Sequence, residues 1–182
     1  MERIKVVGAG LAGCEAAWWL AEEGFSVELA DIKPRSFTPA HSNADFAELV
    51  CSNSLKSNDV FGNACGLLKE EMRILGSLTM QAAGVSAVPA GGALAVDRGK
   101  FARFITEKIK SHGNITAVCA EAEEVPEAPC IIATGPLTAG ALAQDIERVT
   151  GSALHFYDAS APIVAAESID MSRAFAGGRY GK

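Results

Sequence analysis

Two groups of residues in this 182-residue chain have types and spacings suited to chemistry. The first is Gly8-Ala9-Gly10-Leu11-Ala12-Gly13, a glycine triplet of the kind that brings backbone amides up to a dinucleotide diphosphate. In that role Gly8 permits a tight turn out of a strand. Gly10 keeps the approach to the diphosphate clear, and Gly13 lets helix and strand pack closely. The following helix N-terminus carries partial positive charge where the phosphates would sit. Asp31 lies 23 residues after Gly8, near the separation expected of a ribose-binding carboxylate. By itself the triplet is a weak signal: a turn that uses glycine only for packing, or a strand-end Asp that is merely solvated, reads the same way.

The second group surrounds Cys51, in Cys51-Ser52-Asn53-Ser54-Leu55-Lys56. A thiol among Ser, Asn and a nearby Lys is in the polar setting that exposes and activates cysteines. A loop cysteine without chemistry fits the same residues about equally well. Cys14, Cys119 and Cys130 fall inside expected helix or strand, and Cys65 opens a helix, so all four read as small buried hydrophobes. His41, His112 and His155 are scattered, and none stands at metal-ligand spacing from a cysteine pair, so no metal site is expected. A Cys–His hydrolase is poorly supported, because no helix or orienting partner is identifiable around His41, the histidine nearest Cys51.

The elements that must position these groups follow from pattern. Ile4 to Val7 is a β-branched run, Cys14 to Glu23 reads as a helix stopped by Gly24, and Phe25 to Ala30 reads as a strand ending at Asp31. That is one β-α-β unit with the glycine turn at its first corner. Lys33 to Asn63 lacks periodicity, which in a stretch this long points to function; Phe46 to Val50 reads as a short helical turn. Ala64 to Met80 has helical spacing, with Asn63 as cap. A turn at Pro89 to Gly92, a strand at Ala93 to Val96, and a helix at Gly99 to Ser111 capped by Asp97 follow. Then come a strand at Ile115 to Cys119, an acidic connection, a strand at Cys130 to Ala133 stopped by Thr134-Gly135, and a helix at Thr138 to Val149 closed by Gly151. Beyond it only Phe156-Tyr157 and Ile163-Val164 look strand-like. The fold class expected is α/β: a Rossmann-like domain over residues 1–151 with an inserted segment 33–98, and the start of a second domain over 152–182; the run Cys130-Ile131-Ile132-Ala133-Thr134-Gly135 resembles the returning strand of two-domain flavoproteins, which makes the first an FAD-binding domain.

Composition narrows the class. Sixteen basic and 22 acidic residues leave a net charge of −6, which argues against a generic polyanion coat or a polybasic membrane binder. The odd number of cysteines, five, with no C-x-x-C pair and no leader-like start, reads as reduced thiols in the cytoplasm. The longest uncharged stretch, 75–96, is broken by Gly, Ser, Gln and Pro and does not suit a membrane.

Several segments together resemble one family: Val7-Gly8-Ala9-Gly10-Leu11-Ala12-Gly13, Thr38-Pro39-Ala40-His41, Phe46-Ala47-Glu48-Leu49-Val50-Cys51-Ser52-Asn53-Ser54-Leu55, Leu68-Lys69-Glu70-Glu71-Met72, Val88-Pro89-Ala90-Gly91-Gly92-Ala93-Leu94-Ala95-Val96-Asp97-Arg98, and Ile132-Ala133-Thr134-Gly135-Pro136-Leu137-Thr138. The chain resembles the N-terminal part of the folate- and FAD-dependent tRNA uracil-5 methyltransferases, the small form of the glucose-inhibited division protein A flavoproteins. The resemblance implies FAD as cofactor, 5,10-methylenetetrahydrofolate and NAD(P)H as co-substrates, and tRNA as acceptor, contacted mainly outside this chain. It implies that Gly8, Ala9, Gly10, Leu11, Ala12, Gly13, Asp31, Thr134 and Gly135 hold the cofactor and that Cys51 is catalytic. Two cysteines in that family divide attack at uracil C6 and removal of the C5 proton. Cys51 matches one, with proton handling the first choice, and the other lies beyond residue 182. A Cys at position 14, Ser42-Asn43-Ala44-Asp45 after His41, and Asp at position 31 depart from the commoner pattern. The alternatives are a wobble-uridine-modifying flavoprotein of the division protein A type, an FAD oxidoreductase of small molecules, or a nucleotide-binding piece without methyl transfer.

Overall fold

The computed structural model describes residues 3–152 and 166–173. Strands β1 (Arg3–Val7), β2 (Ser26–Asp31), β6 (Ile115–Cys119) and β7 (Cys130–Ile132) form a parallel sheet in the order β6-β2-β1-β7. One face is apolar, with Val6, Val27 and Leu29 fully buried, while Lys5 and Glu28 pair at 3.5 Å on the other. Helices α1 (Leu11–Glu22) and α4 (Arg98–Ser111) cover the sheet. α4 presents Phe101, Ile105 and Ile109, one face at helical spacing, all buried. The chain leaves β1 for β2 on one side and later returns to β7 on the other, so the glycine turn sits where the strand order reverses. In open α/β sheets that crevice is where ligands bind. α5 (Gly140–Thr150) follows β7 and ends at Gly151 with φ of 71°.

Between β2 and α4 lie β3 (Ser54–Ser57), α2 (Ala64–Ile74), α3 (Leu78–Ser86), β4 (Ala87–Val88) and β5 (Ala93–Val96), with the three strands in a small antiparallel sheet ordered β3-β5-β4. Four expectations are corrected here. The single helix over Ala64 to Met80 is two. Gly76, with φ of 77°, ends α2, and the Ser77 hydroxyl accepts from Met80 N at 3.2 Å to start α3. The short helical turn at Phe46 to Val50 is a bend, because Phe46 and Ala47 spend their amides on distant partners described below. β3 escapes the sequence because it is polar and irregularly paired with β5. Cys119 ends β6 at the surface and is exposed, and Cys65 and Cys130 are half-buried, so only Cys14 matches the buried-hydrophobe reading. The strand-like pieces Phe156-Tyr157 and Ile163-Val164 lie outside the described residues.

The N-terminal caps at Asn63 and Asp97 form as predicted, accepting from Cys65 N and Lys100 N, both at 2.9 Å. A cap across elements was not anticipated. The Glu15 carboxylate, on α1, accepts from Leu78 N at 3.1 Å, Thr79 N at 2.9 Å and Thr79 Oγ1 at 2.6 Å. It satisfies the open amides of α3 and ties that helix to α1. Glu15→Ala is expected to destabilise the fold by about 2 kcal/mol, the scale of a lost charged cap. An unchanged urea midpoint would contradict that.

Candidate functional site

The glycine loop connects β1 to α1. Gly8 has φ of 99°, and a Cβ there would lie 2.5 Å from the Ala133 carbonyl oxygen. A Cβ on Gly13 would lie 1.7 Å from the Gly8 carbonyl oxygen. These two glycines are required by packing. Gly10 differs: its φ is an ordinary −74°, and a Cβ on it would meet nothing within 4 Å. It is the N-cap of α1, no side chain caps that helix end, and no acidic residue lies in the first turn. The unfilled cradle over Gly10 and the open amides of Leu11, Ala12 and Gly13 fit a diphosphate.

Asp31 ends β2 beside this loop. Its Oδ2 accepts from Ala9 N at 2.6 Å and its Oδ1 from Lys33 N at 2.9 Å. The carboxylate therefore braces the loop, and each oxygen keeps a lone pair for a further donor such as a ribose hydroxyl. On the other flank Ala133 N donates to Val7 O at 2.7 Å, which places Thr134 and Gly135 next to Gly8. Thr134 and Gly135, with Ile132, Thr138, Ile146 and Val149, line a groove of about 360 Å³ between β7 and α5.

Cys14 sits beneath the loop, fully buried, with Sγ donating to Ala9 O at 3.3 Å. Burial first, then the neighbouring Asp31 charge, push this thiol from 9.0 up to about 12. The unfolded chain ionises it above pH 9 while the folded state keeps it neutral. Its contribution to stability is therefore complete below pH 9 and lost progressively as pH rises toward 12. Cys14→Ala should flatten that alkaline loss in thermal melts taken across this range. Parallel melting curves for the two proteins would refute it.

Three consecutive residues anchor the Cys51 segment, to Lys33, to α4 and to the glycine loop. The buried Lys33 ammonium donates to the Asp45 carbonyl. Phe46 N donates to Thr106 Oγ1 of α4 at 2.8 Å, and Ala47 N donates to Ala9 O at 2.9 Å. Ala47 holds φ of 51° while fully buried, a conformation that non-glycine residues adopt only when the surroundings impose it. Glu48 then folds back, accepting from Ser42 N, Ser42 Oγ and Asn43 N at 3.0–3.2 Å. Partial desolvation would raise the Glu48 carboxyl. The Ser42 and Asn43 donors and the nearby His41 outweigh it and hold the carboxyl below its ordinary value. Downstream, Arg98 Nη2 donates to the Cys51 carbonyl at 3.2 Å, and Val96 N donates to Asn53 O at 2.9 Å.

Cys51 itself is exposed. It lies four positions after Ala47, at most about 14 Å of extended chain. The sequence names Cys51 and the glycine loop separately, and the structure fastens them together. Of the residues that do the fastening, Ala47 and Arg98 fall in segments that carry the family resemblance, while Lys33 and Thr106 fall in none. Lys33 and Thr106 betray themselves only as polar residues that turn out to be buried.

A family model described as "Glucose inhibited division protein A" matches residues 3–182. The chain belongs to that family. Within the glucose inhibited division protein A family it is 55% identical, over 184 residues, to the Methylenetetrahydrofolate--tRNA-(uracil-5-)-methyltransferase TrmFO of Acetivibrio thermocellus, covering 100% of this chain and 42% of that protein. It is 56% identical over 182 residues to the protein of the same name from Geotalea uraniireducens, with the same coverage. The chain thus spans about 42% of the length of these curated relatives. The solved structure of Aquifex aeolicus GidA superposes with a TM-score of 0.54 at 17% identity, over 70% of this chain and 21% of that one. At that identity the likeness speaks to fold, and it agrees with an α/β domain built on a helix-flanked parallel sheet. The family resemblance read from the motifs is borne out. Among the described residues no helix is long and apolar enough to cross a membrane.

Proposed function

We propose that the full-length protein uses FAD to move a one-carbon unit from 5,10-methylenetetrahydrofolate to C5 of the T-loop uridine of tRNA, with NAD(P)H as reductant, in the cytoplasm. This chain is its flavin-holding part, with residues 1–151 as the FAD-binding domain, 33–98 inserted in it, and 152–182 leading into the next. The observation that carries the reading is identity above one half, along the entire chain, to relatives bearing that enzymatic name.

When bound, the flavin supplies the redox chemistry that passes on and reduces the one-carbon unit. The chain's residues do the rest. The amides of Leu11, Ala12 and Gly13 and the cleared approach at Gly10 would receive the diphosphate, on a turn formed by Gly8 and Ala9. The free lone pairs of Asp31 receive ribose hydroxyls, and Thr134 and Gly135 border the same crevice. Uracil C5 is a poor nucleophile until a thiolate adds at C6, and its proton must later be removed. Cys51, exposed on a loop bonded to the glycine turn, takes up the C5 proton, and C6 addition falls to a thiol outside this chain.

The test is to incubate the flavin-loaded, full-length protein with methylenetetrahydrofolate, NADPH and an unmodified tRNA transcript, then digest the RNA for mass spectrometry. 5-Methyluridine in the T-loop is expected. A flavin-replete protein that leaves the uridine unmethylated would overturn the reading.

A further inference from the structure

We propose that the solvent face of α4 is a docking surface for the phosphate backbone of the tRNA substrate. This inference rests on the functional reading above for its choice of RNA. α4 carries Arg98, Lys100, Arg103, Lys108 and Lys110 against a single acid, Glu107, in a chain whose net charge is −6. At 100° per residue, Lys100, Arg103 and Lys110 project away from the buried Phe101, Ile105 and Ile109, and all three are exposed.

Two observations separate this face from an ordinary solvated helix. Cations in the first half of a helix oppose its dipole, yet Arg98, Lys100 and Arg103 stand there, three against the one carboxylate of the Asp97 cap. Among the described residues, none of the five cations forms an ion pair, although the chain has carboxylates in excess. Even Glu107, one turn from Arg103 and from Lys110, pairs with neither. The positive charge is left uncompensated within the described fold.

Its position gives it a role. Both ends of α4 touch the segment that carries Cys51: Arg98 donates to the Cys51 carbonyl at 3.2 Å, and Lys110 Nζ lies 5.3 Å from the centre of the Phe46 ring. From residue 98 to 110 the helix runs about 18 Å. A polyanion lying along it would run past both points where the helix meets the segment that carries the exposed thiol. Such contacts hold a backbone in register without reading sequence, as phosphate contacts do.

The experiment measures binding of an unmodified tRNA transcript to the flavin-loaded, full-length protein across a salt series. The Lys100→Glu/Arg103→Glu variant should keep its flavin and lose about tenfold or more in affinity, with the salt slope shallower by about one for each cation removed. Glu107→Lys should bind more tightly than wild type, a gain that misfolding cannot produce. Arg148→Glu, on α5 toward the opposite edge of the sheet, reverses one charge as each of those substitutions does and should bind as wild type. Unchanged affinity and slope in the double variant, an equal loss in Arg148→Glu, or no tRNA binding by wild type would each overturn the proposal. Should wild type methylate tRNA while the double variant binds undiminished, the surface falls and the enzymatic reading stands. Should binding depend on α4 while wild type makes no 5-methyluridine, the surface stands and the enzymatic reading falls.

Discussion

Gly10→Val is expected to give a folded protein that no longer retains FAD. The three glycines of the loop make separable demands. Side chains at positions 8 and 13 would collide with backbone, 2.5 Å from Ala133 O and 1.7 Å from Gly8 O, so their loss is a defect of folding. Position 10 has an ordinary φ of −74° and open space where a Cβ would project, so the protein itself gives no reason for glycine there. A ligand gives one. A valine over the uncapped end of α1 would hold a diphosphate off the amides of Leu11 to Gly13. Losing two charge-assisted hydrogen bonds, at about 1.5 kcal/mol or more each, weakens binding about a hundredfold. The check pairs released-flavin absorbance with a thermal melt: flavin should vanish while the melting temperature of the flavin-free form holds. Full flavin content in the variant would refute the loop's assignment.

Cys51→Ala in the full-length protein is expected to leave FAD bound and to reduce tRNA methylation by about a hundredfold or more, the scale of a lost proton-transfer group. The loop should survive the change, because its anchors are not the thiol. The Cys51 carbonyl is held by Arg98, Asn53 by Val96, and Ala47 by Ala9. The side chain is exposed and makes no packing contribution to the core. A defect confined to turnover, with flavin content and melting temperature unchanged, is the signature of a reacting group. Wild-type turnover would remove Cys51 from the chemistry.

Much of the sheet and the glycine corner was legible because short-range rules govern them. β-branched runs read as β1 and β7, an Asp before a periodic stretch read as the cap of α4, and the Gly8–Gly13 spacing read as a loop between strand and helix. The failures share a cause as well. β3 is polar and is made a strand by its pairing with β5. Leu67 to Leu78 keeps helical spacing across the break at Gly76, so periodicity alone joined α2 to α3. The Phe46 to Val50 segment has helix-compatible residues, but Thr106 and Ala9, distant in sequence, claim the amides of Phe46 and Ala47. Asp31 was read as a ligand residue from its spacing, and the bond from Ala9 N adds a bracing role that spacing does not disclose. Cys119 was assigned to an interior because its strand is apolar, while the strand ends at that residue and leaves it exposed. What escapes a linear reading is the tertiary bond, and here the one from Ala47 N to Ala9 O joins the segment that carries Cys51 to the glycine loop.

The most direct measurement is a crystal structure of the protein with FAD bound. The diphosphate should lie over Gly10 against the amides of Leu11, Ala12 and Gly13, a ribose should meet Asp31, and the isoalloxazine ring should end on the side of the crevice where the Cys51 thiol is exposed. A diphosphate bound elsewhere, or a flavin ring on the far side of the sheet from Cys51, would contradict the account.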